Sequence, residues 1–100
     1  MPYTPDPMDQ QVRYALEDLQ YDVSKGYHYE GSLELNGSDS YHSVIREVRK
    51  QAEAESWQCN YDSTQGPVDD CRLLMQRGNA VLKLKVEYDD TMQLEGYVKP

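Results

Sequence analysis

The chain has 100 residues, of which 38% are hydrophobic and 28% charged, and its formal net charge is −8. That length suits one domain built around one core, and the apolar residues are periodic enough to favour folding over disorder. The acidity argues against a phosphate-neutralising nucleic-acid binder and against docking on an anionic membrane surface.

The apolar runs are too short to span a bilayer, and the start MPYTPDPMD lacks the basic and apolar regions of a secretory signal. A cytoplasmic protein is therefore expected. Nine tyrosines stand against no phenylalanine and one tryptophan. Tyrosine combines a large ring with a polar tip, so it serves half-buried core positions and recognition surfaces alike.

Residues 1–5, MPYTP, carry two prolines and no periodicity, and are expected to form an arm outside a single α+β domain spanning residues 6–100. Asp6 followed by Pro7 has the form of a helix N-cap with proline at the first helical position. Met8, Val12, Ala15, Leu16, Leu19 and Val23 then recur in steps of three and four, tracing one face of a first helix that Gly26 closes. The other faces carry Asp9, Arg13, Glu17, Asp18 and Asp22, with Tyr14 and Tyr21 two turns apart.

Residues 27–35, YHYEGSLEL, change to a period of two, with Tyr27, Tyr29, Gly31, Leu33 and Leu35 facing inward and His28, Glu30, Ser32 and Glu34 outward. Gly31 inside this strand suggests a bulge or a closely packed side chain. A turn over Asn36-Gly37-Ser38-Asp39-Ser40 leads to a second helix, whose inner face is Tyr41, Val44, Ile45, Val48 and Ala52. Its mixed charges are those of a solvated side. Trp57, Cys59 and Tyr61 alternate with polar residues as a short strand facing the core, followed by the loop STQGPVDD.

Three further strands are expected near 71–76, 80–88 and 92–98. A two-residue loop at Gly78-Asn79 sets Arg77 opposite Ala80, Met75 opposite Leu82, Leu73 opposite Leu84 and Cys71 opposite Val86. A three-residue loop through Thr91 then keeps the faces consistent, pairing Tyr88 with Met92, Val86 with Leu94 and Leu82 with Val98. The predicted architecture is α+β in two layers, order α-β-α-β-β-β-β, with both helices on one face of a four- to five-stranded, mostly antiparallel sheet. The passage from Tyr27 to Tyr61 has the form of a parallel strand–helix–strand crossover, which would make the sheet mixed.

No catalytic, cofactor-binding or metal-ligating set emerges from the residues, and an enzyme is not expected. His28 and His42 are the only histidines, and two lone cysteines eleven residues apart do not supply compact zinc spacing. Cys59 and Cys71 on adjacent strands permit a disulfide, while a reducing compartment favours the thiols. Asp69-Asp70 and Asp89-Asp90 lack the alternating oxygen ligands of a calcium loop. The outward sheet face combines Arg72, Lys83 and Lys85 with Glu30, Glu34 and Glu87, a mixture typical of a solvated face.

What remains is the exposed stripe of Tyr14, Glu17, Asp18, Tyr21 and Asp22, the candidate partner-binding residues. Small size, acidity and abundant tyrosine fit a protein-binding inhibitor that occupies a partner's surface, including a positively charged nucleic-acid channel. Phage-encoded inhibitors and bacterial immunity proteins share this composition. A structural or accessory subunit of a homo- or hetero-oligomeric assembly, a homodimer included, is the alternative, ahead of a small enzyme or ligand-binding domain.

Overall fold

A computed structural model describes residues 7–35, 41–62, 71–88 and 91–100, the side chains of Pro7, Asp62, Cys71, Glu87 and Tyr88 excepted. The arm at 1–5, the Asp6 cap, the turn at 36–40, the loop at 63–70 and Asp89-Asp90 lie outside these residues.

The first helix, α1 (Pro7–Ser24), buries Met8, Val12, Leu16, Leu19 and Val23, the three-four series of its apolar face. Its end follows from Gly26, which adopts φ +81°. The Gly26 amide donates to the Val23 carbonyl at 3.0 Å and the Tyr27 amide to the Asp22 carbonyl at 2.9 Å, the paired bonds of a Schellman cap. The second helix, α2 (Tyr41–Ala54), buries Val44, Ile45, Val48 and Ala52. It ends on the same motif, with Ser56 donating to Glu53 at 3.1 Å and Trp57 to Ala52 at 3.0 Å.

Here the left-handed position is held by Ser56 at φ +72°, where a side chain costs energy that glycine does not incur. Ser56→Gly is therefore expected to stabilise the protein by about 1 kcal/mol, raising the thermal midpoint by roughly 4–8 °C. A calorimetric scan checks this. An unchanged or lower midpoint would mean that Ser56 contributes more than its backbone geometry shows.

The strands β1 (Tyr29–Glu34), β2 (Gln58–Asp62), β3 (Cys71–Arg77), β4 (Ala80–Tyr88) and β5 (Thr91–Val98) form one sheet in the order β1-β5-β4-β3-β2. Every neighbouring pair is antiparallel. The parallel crossover is thus corrected: β1 and β2 are opposite edges, and α2 carries the chain across the full width of the sheet. Both helices share one layer, α1 touching β1 and β5 and α2 touching β2 and β3. Between the layers Leu33, Leu73, Met75, Leu82, Leu84, Met92 and Leu94 are buried with the helix stripes in a single core.

The β3–β4 register follows the expected pairs from Arg77↔Ala80 to Leu73↔Leu84, and Gly78 takes φ +59° at the turn. Asn79 keeps an ordinary φ, so positive φ at the first turn residue alone gives the hairpin the II′ pattern. Beyond Leu73 a bulge shifts Cys71 onto Lys85 rather than Val86. The β4–β5 pairing also differs from expectation, with Val86↔Met92, Leu84↔Leu94, Leu82↔Gly96 and Ala80↔Val98. Tyr88 pairs with Thr91 across a two-residue loop, and a bulge between Val86 and Tyr88 restores the alternation. The faces agree with expectation because one extra residue in the strand has the same effect on parity as one extra residue in the loop.

Two aromatic placements differ as well. Tyr27 precedes the strand and is 61% exposed rather than turned to the core. Tyr61, beyond a bulge in β2, pairs with Leu74 on the outward side. A disulfide is excluded by register: Cys59 stands opposite Met75, four positions along β3 from Cys71, about 13 Å at the usual strand rise and well beyond bridging distance.

Candidate interaction surface

The geometry of α1 decides what it presents. Tyr14 and Tyr21 are seven residues apart, so their directions differ by only about 20°, and they stand opposite the buried Leu16, Leu19 and Val23. Tyr14 is 55% and Tyr21 62% exposed. Glu17 and Asp18, three and four residues after Tyr14, are also exposed, and Asp22 is half-buried beside them. All five residues of the stripe thus lie together on one side of one helix. Two cations rest against the rings, with the Arg13 guanidinium 5.3 Å from the Tyr14 centroid and the Lys25 ammonium 5.1 Å from that of Tyr21.

On the β1 side the surface continues beyond α1. Tyr29 is half-buried, and burial, then the nearby Asp18 and Asp22 carboxylates, hold its phenol above the usual tyrosine value. Its ring lies over Gly31, where any Cβ would collide with it, so Gly31 marks close packing rather than a bulge. Exposed Tyr27 follows the α1 cap directly. Sequence periodicity missed Tyr27 because it fits the alternation of the coming strand. The signal that finds it is Gly26: the residue after a left-handed cap leaves the helix axis beside the last turn.

On the α2 side Arg13, Leu16, Glu17, Gln20, Gln51, Ala54 and Glu55 line a shallow depression of about 190 Å³ between the helices. This is smaller than a typical small-molecule pocket. Beneath it Gln20 of α1 joins Trp57, which follows the α2 cap, to Arg77 of β3. The Trp57 indole donates to the Gln20 side-chain oxygen at 3.2 Å and Arg77 donates to the same oxygen at 2.6 Å. Arg77 also donates to the Glu55 carbonyl at 3.0 Å, with its guanidinium 4.9 Å from the Trp57 ring centroid. At the other end of α1 the Gln11 amide exchanges two hydrogen bonds with the Glu34 backbone, at 2.7 and 3.1 Å, anchoring the helix to the edge strand.

The face of the sheet away from the helices carries a row Glu30, Glu95, Lys83, Leu74 and Tyr61 across its five strands. Val81 on this face is only 3% exposed, with Gln76 and Tyr97 as its cross-strand neighbours. The His28 Nε2 lies 3.3 Å from Glu95 Oε2 and 3.8 Å from Glu30 Oε1, and Lys85 Nζ lies 3.9 Å from Glu95 Oε1. His28 and Cys59 sit at opposite edges, about 19 Å apart by strand spacing, too far for a thiol–imidazole pair. Glu87 falls at the β4 bulge, where its side chain is outside the described residues. Among the described residues no helix is long and apolar enough to cross a membrane.

Comparison with protein-family models, with curated proteins and with solved structures returns no match to this chain.

Proposed function

We propose that the protein works in the cytoplasm by binding another protein through the acidic, tyrosine-bearing side of α1, extended by Tyr27, and that it inhibits by occupying a positively charged surface of that partner. The observation that carries this reading is the exposure of Tyr14 and Tyr21 on one helix side with Glu17 and Asp18 between them. Exposed tyrosines supply contact area at low entropic cost, and nearby carboxylates steer a basic partner into register. The role is of the kind that phage-encoded inhibitors and bacterial immunity proteins fill.

Affinity capture from the native host with the tagged full chain identifies the partner. Replacing Glu17, Asp18 and Asp22 by lysine is expected to weaken capture at least about tenfold. Raising salt from 50 to 300 mM should weaken the wild-type complex as well, since exposed charges are screened over about 10 Å at 0.1 M. If neither salt nor charge reversal changes binding, electrostatic occupancy is wrong. A mass that rises with concentration and falls with Tyr14→Ala and Tyr21→Ala would instead assign this surface to self-assembly.

A further inference from the structure

We propose that His28, Glu30 and Glu95 bind one divalent transition-metal ion of the zinc class on the open face of the sheet, with the remaining coordination positions taken by water. The inference is independent of the α1 surface.

The site is made by strand periodicity and register. His28 immediately precedes β1 and lies two residues before Glu30, its imidazole reaching both carboxylates, and Glu30 is the direct cross-strand partner of Glu95 on β5. One ligand atom from each side chain lies within 4.8 Å of the other two. Zinc bonds of about 2.0–2.2 Å at tetrahedral angles separate ligand atoms by about 3.3–3.5 Å. The His28–Glu95 separation of 3.3 Å is already of that length, and the 3.8 Å to Glu30 closes by rotation of a side chain that is 57% exposed.

A separate observation points to a cation. Like charges directly opposite in an antiparallel ladder destabilise it, yet Glu30 faces Glu95. Lys83, the partner of Glu95 on the other side, places its ammonium 5.4 Å from the Tyr97 ring centroid. Only Lys85 approaches Glu95 among the described lysines, and it does so at Oε1, leaving Oε2 toward His28. The imidazole selects the class, because calcium and magnesium prefer all-oxygen sets whereas zinc, cobalt and nickel accept nitrogen with carboxylate.

Titration of the full chain with zinc chloride in a calorimeter tests the site, with magnesium chloride as the counter-probe. One zinc per chain with micromolar affinity is expected, and no comparable magnesium binding. His28→Ala and Glu95→Gln should each weaken zinc binding about tenfold or more while leaving the melting curve of the metal-free protein near that of wild type. Lys85→Gln should strengthen it about threefold or more, by removing a like charge beside the ion. Absence of saturable zinc binding up to about 1 mM overturns the proposal. So does binding that survives His28→Ala, or that is lost instead in His42→Ala or Cys59→Ser.

Discussion

Gly96→Ala is expected to destabilise the protein by about 1–3 kcal/mol, although strand propensity alone would favour alanine over glycine. Gly96 faces the core from β5, paired with Tyr29 on one side and Leu82 on the other. A Cβ built there would lie 2.5 Å from Leu19 Cγ and 2.8 and 3.0 Å from its two methyl carbons. The nearest atom is the branch point of a fully buried side chain, so rotating the methyl groups does not relieve the clash. Either Leu19 leaves its rotamer or α1 lifts from β5, and both cost energy in a close-packed interior.

A double-mutant cycle separates this cause from any general intolerance of substitution in β5. Leu19→Ala alone should cost about 2–5 kcal/mol, because it empties a buried site. With Leu19 already truncated, the methyl group that Gly96→Ala adds enters vacated space, so the double variant should be more stable than the sum of the single effects by about 1 kcal/mol or more. Urea midpoints at constant slope measure all three. Strict additivity would show that Leu19 is not what Gly96 accommodates. Close approach at Gly96 also matters beyond stability, because it seats the inner face of α1 on β5 and so holds Tyr14 and Tyr21 outward.

The contrast between α1 and Gly96 shows what a single chain discloses. Tyr14, Glu17, Asp18, Tyr21 and Asp22 belong to one helix, where spacing along the chain is also direction in space, so their common side is legible from the 3.6-residue period. Gly26 as a cap and the Gly78-Asn79 hairpin are legible for the same reason, since each is satisfied within a few residues. Strand periodicity, by contrast, specifies a face but not a neighbour. Leu33 had to face inward whichever strand it joined, and nothing in its own alternation puts β1 against β5 rather than beside β2. Bulges are hidden too, because an extra residue near Arg72, Asn60 or Glu87 leaves no periodic trace while it shifts partners by one. The His28, Glu30 and Glu95 cluster was out of reach for that reason, as 67 residues separate His28 from Glu95 and only the β1–β5 register joins them.

Trp57→Ala is expected to have the largest single effect on the fold, about 3–5 kcal/mol, a large share of the stability of a domain this size. Trp57 is 2% exposed and sits just after the left-handed Ser56, so the α2 cap delivers it into the core. Its removal leaves a cavity and strips the Gln20 oxygen of one donor and Arg77 of the ring beneath it. Trp57→Phe distinguishes the two losses: it keeps most of the buried ring but removes the indole N–H, and should cost only about 1–2 kcal/mol. Since Gln20 lies one turn from Glu17 on α1, the junction under it also sets how α1 leans on α2. Trp57→Phe should therefore leave partner capture within about threefold of wild type, unlike reversal of the exposed carboxylates, if binding resides in the surface rather than in the junction. The lone tryptophan makes the argument measurable. Its fluorescence and the backbone circular dichroism should report one shared unfolding transition, because the side chain joins α1 to β3 and its backbone amide closes the cap of α2. An earlier fluorescence transition would mean that the junction opens while the sheet persists, and the proposed Tyr14–Tyr21 surface would then rest on a helix that is not held in place.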